Sequence, residues 1–437
     1  MSGLSAFSSE VHRWYPILPA NYSDQFQHQI SGDLAPSSKT CLALLICAIG
    51  SVFTTEVASE TSFMAMAMES LSSVMFESSI ESTQSLIMLS VYNNCRYRPC
   101  QAHEFAMAAS YKVQSLLRTG GNEESEDQTE LVRRAYWAIL LIENELNVQF
   151  ELPKSGLWAL NEQVPLPAMR TPWRFSISTL RSTFTSPLEI SSQNLAHPTV
   201  SSSDRINCYF LAAIAMRRML HRCTTAIRPT GFRDGRTDYT FAPIIARELE
   251  AQLDEWYAYL PQAVRFDKDD NLTTTPDDFV YQSDEPLLEF LHVQYDCCRA
   301  SIYWPAVWDA IKSEHIGPEL FLYCQKFFRS YMYIIPNISS LISKCRVNAW
   351  TMYATVFILT LAVAESMKSS CLRAALPNNI VDIVLSAPQV FEPVKDDNPS
   401  LALLQDLLSH RIQALMSSMS PVTDVYACPS EHASSQH

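Results

Sequence analysis

Apolar residues recur at helical spacing along most of the chain, in runs too long for β-strands. Ser37 to Phe53 is apolar on all sides, with Gly50 near its end, and this predicts a buried central helix. Three more helices are predicted before the two adjacent glycines at 120 and 121 act as a stop signal. They cover Thr61 to Glu77, Ser79 to Cys95 and Gln101 to Gly121.

A Ser-, Thr- and Pro-rich stretch at 171–203 divides the chain, and helical spacing resumes after it. We therefore predict an all-α fold of two helical lobes, 1–170 and 204–419, joined by residues 171–203 and followed by a polar tail at 420–437. The predicted helices of the second lobe cover Asp204 to Ile227, Phe241 to Leu260, Glu285 to Ile311, Pro318 to Cys345, Val347 to Met367 and Leu401 to Met419.

Composition supports helices and limits the function classes. Only 9 of 437 residues are glycine, too few for an all-β sandwich or for Gly-rich phosphate loops, while 47% hydrophobic residues can fill a large core. The formal net charge is −14, so the long-range field repels a phosphate backbone. The basic stretches Met216 to Arg222 and Arg228 to Arg236 are interpreted as a solvated helix face and a loop. Direct binding of nucleic acid by this chain is not expected.

The cysteine pattern and the apolar runs indicate an intracellular protein. The 12 cysteines are scattered through apolar helical segments, which is typical of reduced core thiols. The first residues lack a basic region followed by an apolar one, so no signal peptide is predicted. Thr40 to Thr55 and Val347 to Ala364 approach the length of a membrane span, but flanking basic clusters are missing, and both are interpreted as core helices.

No catalytic or metal-binding residue is nominated, and no cofactor is expected. Asp267 to Asp278 resembles the aspartate-rich motif of magnesium-dependent terpene synthases, but Pro276 and three threonines predict a loop there. Cys95 and Cys100 are too far apart for a tight zinc knuckle. The histidines at 12, 103, 221 and 292 are interpreted as partly buried or surface residues.

One predicted helix carries a distinctive pattern, in the segment ELVRRAYWAILLIENE that begins at Glu130. Asp127 and Glu130 resemble a capping box that opens this helix, which should run to about Phe150. Glu130 can pair with Arg134 four residues on, and Arg133 can stack on Trp137. Residues 135–142 are all apolar, so this part of the helix must be covered on every side.

This pattern resembles the fungal-specific transcription factor domain, the middle homology region that usually follows a zinc binuclear cluster. Its motif has two arginines, an aromatic–tryptophan pair, an apolar run, an acid and a Gly-Arg-Pro turn. The matching positions here are Arg133, Arg134, Tyr136, Trp137, Glu143 and Pro153. The sequence departs from the motif by glutamate in place of aspartate at 143, by Asn144 in place of a basic residue, and by Glu151 and Leu152 in place of Gly-Arg.

Other segments resemble the family in the same order along the chain. They are the opening segment Val11 to Phe26, the first core helix Cys41 to Phe53, the Leu-Pro turn Glu162 to Pro167, the element Leu253 to Pro261, and the helix Leu291 to Pro305. The ordered set, rather than any one segment, carries the resemblance. The motif arginines should bind acids and aromatic faces within the fold.

The resemblance implies a nuclear regulator of metabolic genes, secondary-metabolite clusters included, without catalytic activity. No six-cysteine cluster precedes Val11, so promoter binding is expected through protein partners, either a DNA-binding regulator or the transcription machinery. A small-molecule effector would fit between the lobes, in a pocket lined by Tyr295, Tyr303, Trp304 and Trp308; core packing is the alternative role for these four. A ligand-sensing helical module without a transcription role is the alternative function.

Overall fold

The computed structural model confirms the all-α class. The structure describes residues 2–32, 34–54, 57–119, 125–147, 152–168, 173, 202–226, 231–233, 236–238, 241–268, 285–313, 315–396 and 398–419. Within these ranges the elements are helices and their connections, apart from one short hairpin. Most of the predicted connection at 171–203, the tail at 420–437 and Asp269 to Asp278 of the aspartate-rich segment lie outside the described residues.

The described residues up to 168 contain eight α-helices. They are α1 (Ser2–Phe7), continued by a π-helical turn at Ser8–His12, α2 (Tyr22–Ser31), α3 (Ser38–Val52), α4 (Val57–Glu69), α5 (Leu71–Phe76), α6 (Ile80–Cys95), α7 (Pro99–Thr119) and α8 (Glu126–Asn147). A 3-10 turn at Leu157–Leu160 follows. The predicted helix over Thr61 to Glu77 breaks at Ser70, so two helices stand where the sequence predicts one.

The remaining described chain contains seven further α-helices. They are α9 (Ser202–Ala226), α10 (Pro243–Ala258), α11 (Pro286–Lys312), α12 (Pro318–Leu341), α13 (Ala349–Ser366), α14 (Ile380–Ser386) and α15 (Pro399–Met419). Strands β1 (Gly231–Arg233) and β2 (Arg236–Asp238) form an antiparallel hairpin where the sequence predicts a loop. Short helical segments at 370–394, which the sequence analysis did not predict, connect α13 to α15.

Helix α3 lies at the centre of the N-terminal helices, because its side chains are apolar all round and nearly all are buried. The Ser37 side chain caps it by accepting a hydrogen bond from the Thr40 amide at 3.1 Å. Gly50 does not end the helix. A Cβ at Gly50 would stand 2.0 Å from the carbonyl oxygen of Gly3, so this glycine lets the backbone of α1 approach α3 closely.

The buried side chains of both halves of the chain form one continuous hydrophobic cluster. Helix α11 packs mainly against α12 and α9, while α8 contacts α6, α7 and α9. The N-terminal segment also joins the two halves, since the Trp14 ring makes edge contacts with Tyr209 of α9 and Phe290 of α11. The division into lobes 1–170 and 204–419 stays a prediction.

One helical stretch of the described residues, Arg346–Ser366, is long and apolar enough to cross a membrane, with a mean hydropathy of 1.6. Of that window, 61% is buried inside the protein. Helix α13, which makes up most of the stretch, packs against α12 and α15. The shorter apolar helix α3, predicted as a core helix, is also buried.

The cysteines of the described chain form no disulfide, and most are buried. Burial raises the pKa of the Cys41 and Cys95 thiols to about 12, so both are protonated near neutral pH. Among the described residues no three His, Cys, Asp or Glu side chains come together as metal ligands.

Candidate functional site

The Arg-Arg and Tyr-Trp residues lie on α8, whose start and apolar middle were predicted from sequence. Arg134 is 3% exposed and donates from Nη1 to the carbonyl oxygen of Pro16 at 3.0 Å. Its guanidinium carbon lies 5.5 Å from the ring centre of Trp173. Burial lowers the pKa of Arg134 to about 10, and the nearby Glu130 carboxylate opposes that shift. Arg134 therefore connects α8 to the N-terminal segment and to Trp173.

Glu130 is the acid that both arginines share. Its Oε1 lies 3.7 Å from Nε of Arg134, and its Oε2 lies 3.7 Å from Nη1 of Arg133. Oε1 also accepts a hydrogen bond from the Ala168 amide at 3.0 Å. Burial raises the pKa of Glu130, whereas the Ala168 amide and the two guanidinium groups act in the opposite direction. The predicted Glu130–Arg134 pair is present, and it is buried.

The aromatic pair binds backbone carbonyls of the segment that follows α8. Tyr136 donates its hydroxyl hydrogen bond to Leu157 O at 2.9 Å, and Trp137 donates from Nε1 to Pro165 O at 3.0 Å. The two rings meet edge to face with centroids 5.0 Å apart. Trp137 therefore packs on Tyr136. The sequence predicted a cation–π contact of Arg133 on Trp137, whereas the observed contact is that of Arg134 on Trp173.

Glu143 binds the turn in which this sequence departs from the family motif. Its Oε1 accepts a hydrogen bond from the Ser155 amide at 2.8 Å, and its Oε2 accepts one from the Ser155 hydroxyl. The Pro153 carbonyl oxygen lies 2.9 Å from Nε2 of His103 on α7. Gly156 then takes a left-handed φ of 82°, which glycine adopts without the steric cost of a Cβ. Among these residues, both Glu143 and Pro153 help to hold the turn.

Taken together, four side chains of α8 grip the segment 152–168 along its length, and we call this arrangement the α8 clamp. It comprises Glu143 on Ser155, Tyr136 on Leu157, Trp137 on Pro165 and Glu130 on Ala168. Because Glu143 near the end of α8 binds Ser155 and Glu130 near its start binds Ala168, the segment runs back along the helix. The clamp uses its polar groups within the fold, so its chemistry is structural.

A second polar connection was not predicted from sequence. Glu145 accepts a hydrogen bond from Nη2 of Arg217 on α9 at 2.7 Å, and the two residues are 7% and 6% exposed. Burial raises the pKa of Glu145, while the charge of Arg217 and a hydrogen bond from Tyr15 oppose that shift. Met216 to Arg222 is thus not simply a solvated face. Glu145 follows the all-apolar run of α8, and no basic residue stands near it in the sequence. This pattern could have predicted an ion pair with a basic residue from a distant part of the chain.

Trp173 also escaped prediction, because it lies in the stretch at 171–203 that composition marks as irregular. It is fully buried, meets Phe210 of α9 edge to face at 5.8 Å, and donates from Nε1 to Ala168 O at 3.0 Å. A tryptophan among serines and threonines was the signal. Large aromatic residues seldom stay exposed when a core is nearby.

The four aromatics predicted to line a pocket all lie on α11. Tyr295 packs among rings of a local group, with Phe266 at 5.5 Å and Trp256 at 6.2 Å between centroids. Tyr303, eight positions further on, donates its hydroxyl hydrogen bond to Glu250 at 2.7 Å. Both tyrosines are buried, and burial raises the pKa of Tyr295 to about 12.

Trp304 and Trp308 form a different group from the two tyrosines. Their ring centroids are 5.8 Å apart, and Trp304 also lies 5.6 Å from Phe327 of α12. The Lys312 ammonium stands 4.8 Å from the ring centre of Trp308. The structure therefore brings the two tryptophans together and uses all four residues in packing. Their role as a pocket lining stays a prediction.

Comparison with known proteins identifies a family and a relative. The fungal-specific transcription factor domain matches residues 4–258. A protein of Aspergillus rugulosus described as "Putative transcription factor ecdB" is 38% identical over 423 residues, which cover 94% of this chain and 71% of the relative. No solved structure matches the chain. The matched region contains α8 and the whole clamp.

Proposed function

Since the chain belongs to the fungal-specific transcription factor domain family and is a transcription regulator, we propose that it controls metabolic genes, secondary-metabolite clusters among them. The observation that carries this proposal is the family motif on α8, present in order and used to hold the fold together. The similarity to a relative with a transcription-factor description, over 94% of this chain, supports the same reading.

We propose that the regulator acts in the nucleus and reaches promoters through protein partners. The formal net charge of −14 opposes approach to a phosphate backbone. The two arginines that the motif places together pair with Glu130 within the fold. A DNA-binding regulator or the transcription machinery would supply the contact with DNA that this charge distribution disfavours.

We propose no catalytic role for the chain, and the family supports this, since its members are regulators. Of the aspartate-rich segment that suggested the terpene synthase alternative, only Asp267 and Lys268 lie among the described residues. The ion-paired Lys268 binds Asp254, so its charge is used within the fold. We also propose that residues 171–203 divide the chain into two helical lobes.

Chromatin immunoprecipitation of the tagged chain in its own fungus, combined with transcript profiling of a deletion strain, tests this function. We expect recovery of promoter DNA upstream of metabolic genes whose transcripts change in the deletion strain. Recovery of no promoter DNA, with unchanged transcripts, would remove the transcription role.

A second measurement separates direct from partner-mediated binding. The purified chain should leave the fluorescence anisotropy of a recovered promoter duplex unchanged at physiological salt, and a nuclear extract should restore binding. Tight, salt-dependent binding by the purified chain alone would contradict the partner-mediated route while leaving the regulatory role intact.

A further inference from the structure

A cavity of about 460 Å³ opens between residues 19–21 and helices α2, α3, α6 and α8. Its volume lies within the range of small-molecule sites. Buried side chains form its inner wall, among them Leu42 of α3, Ile80 and Gln84 of α6, and Arg134 of α8. Its rim consists of exposed residues from 20–25 and from 125–128.

Two buried polar side chains line this cavity, and each has a hydrogen-bonding atom that makes no hydrogen bond to the described residues. Arg134 donates from Nη1 to Pro16 O, and its Nε lies 3.7 Å from Oε1 of Glu130, while its Nη2 makes no hydrogen bond to the described residues. Gln84 is 2% exposed and donates from Nε2 to Ile17 O at 2.6 Å, while its Oε1 accepts no hydrogen bond from the described residues. Since Pro16 and Ile17 are consecutive, the two side chains are neighbours.

A bound molecule that pairs with these atoms gains hydrogen bonds to side chains that are almost fully buried and therefore held in place. The guanidinium needs an acceptor, and the Gln84 Oε1 needs a donor. An amide or a hydroxy-carbonyl group presents both within a few ångströms. The cavity is therefore suited to a ligand with one compact polar group that carries an oxygen acceptor and an adjacent N–H or O–H.

The surrounding charges favour a neutral molecule. Glu130 already stands 3.7 Å from Nε of Arg134, and Asp127 lies on the rim. Glu81 on the rim is 3.7 Å from Lys39. An anion would meet these carboxylates, whereas a cation would meet the buried guanidinium. Leu131 and the other apolar wall residues add room for an aliphatic substituent.

We propose that this cavity binds a neutral small molecule with an amide or hydroxy-carbonyl group and an aliphatic substituent, its carbonyl oxygen on Arg134 and its N–H or O–H on Gln84. Binding is a property of the cavity, while a role of the bound molecule as the regulator's effector rests on the proposed function. Such a ligand would join the N-terminal segment to α6 and α8, next to the α8 clamp.

Two matched pairs of probes test the site on the purified full chain by saturation-transfer NMR and titration. The neutral members are N-acetylleucinamide and pantolactone, and their charged counterparts are N-acetylleucine and pantoate. We expect at least one neutral probe to bind and its carboxylate counterpart to bind about tenfold more weakly, a difference of about 1.4 kcal/mol. Equal or tighter binding of the carboxylates, or no binding of either neutral probe, would overturn the proposal.

A cavity-filling variant locates the binding. Leu131→Trp places an indole against the wall of the cavity and should weaken probe binding about tenfold or more. Leu116→Trp, at a half-buried leucine of α7 that does not line the cavity, is the matched control and should bind as the wild type does. If Leu131→Trp does not fold, Gln128→Trp on the exposed rim replaces it. Unchanged binding in the folded cavity variant would place the probe elsewhere and overturn the site.

The two proposals can fail separately. If Leu131→Trp abolishes probe binding but no promoter DNA is recovered, the proposed regulatory function is wrong and the proposed binding site is supported. If promoter DNA is recovered but no neutral probe binds, the proposed binding site is wrong and the proposed regulatory function is supported.

Discussion

Helices α8 and α11 are both long and largely buried, yet they use their aromatic side chains differently. The two aromatics of α8 donate hydrogen bonds to backbone carbonyls of one returning segment, Tyr136 at Leu157 and Trp137 at Pro165. The aromatics of α11 meet other side chains, as Tyr303 does at Glu250 and Trp304 at Phe327. A ring that packs on rings can be exchanged for another of similar size, whereas a ring that also binds a fixed carbonyl cannot.

The largest expected difference between the two helices is at their tryptophans. Trp137→Ala should lower the free energy of unfolding by about 3–5 kcal/mol, because it removes a fully buried side chain. The same measurement on Trp304→Ala, at a half-buried position of α11, should give a loss of about half that size, since less apolar area leaves the core. Urea denaturation followed by circular dichroism measures both. Equal losses, or an unchanged midpoint for Trp137→Ala, would break the comparison.

The buried ion pair between α8 and α9 should come next. Glu145→Leu leaves the Arg217 guanidinium buried without its partner, and we expect a loss of about 3 kcal/mol. The double variant Glu145→Leu with Arg217→Met removes both charges and should recover most of that loss. A single variant as stable as the wild type would show that the two groups are solvated rather than buried against each other.

A smaller effect is expected where the clamp holds its turn. Glu143→Ala removes the acceptor of two hydrogen bonds from Ser155 and should cost about 1.5–3 kcal/mol, as for hydrogen bonds to a charged group. On α11, Tyr303→Phe removes one hydroxyl from Glu250, which keeps Lys326 at 2.5 Å, and should cost about 1 kcal/mol. A larger loss for Tyr303→Phe than for Glu143→Ala would reverse the comparison.

An effect close in size to the loss expected for Tyr303→Phe concerns pH and also belongs to α11. Burial lowers the pKa of His292 to about 3, and the charge of Arg299 acts in the same direction. Asp296 lies 3.9 Å from His292 but also 3.7 Å from Arg299, which offsets its charge. Because the unfolded chain takes up this proton near pH 6.5 and the folded chain does not, stability is lost as the pH falls below 6.5. The expected loss between pH 7.5 and 5.5 is about 1.4 kcal/mol.

His292→Gln is the control for that titration. It should be less stable than the wild type at pH 7.5, because the stack of His292 on Phe266 at 4.1 Å is lost. Its stability should nevertheless change less between pH 7.5 and 5.5 than that of the wild type. Parallel profiles for the two proteins would show that His292 does not titrate differently on folding.

Helix α8 and the fold around it also show which features can be predicted from local sequence. Helical spacing and the scarcity of glycine predicted the all-α fold, and Asp127, Glu130 and the apolar run placed α8 within a few residues of its observed bounds. The order of the family segments identified the motif. Such features depend on neighbours within a turn or two of the chain.

The unpredicted features all join distant positions. Glu145 meets Arg217 and Arg134 meets Trp173 only after the chain has folded back, so spacing within a helix says nothing of them. The cavity beside Arg134 is likewise built from four helices and residues 19–21. Gly50 shows the same limit, because its closeness to Gly3 is a matter of packing and not of helix ending.

The central claim is that the α8 clamp holds the segment 152–168, and amide hydrogen exchange tests it most directly. The Ser155 and Ala168 amides lie outside helices and donate to the carboxylates of Glu143 and Glu130. Residue-resolved exchange should find both amides protected in the wild type, and Glu143→Ala should deprotect Ser155 while Ala168 stays protected. Exchange of both amides at the rate of an unstructured peptide in the wild-type protein would contradict the claim.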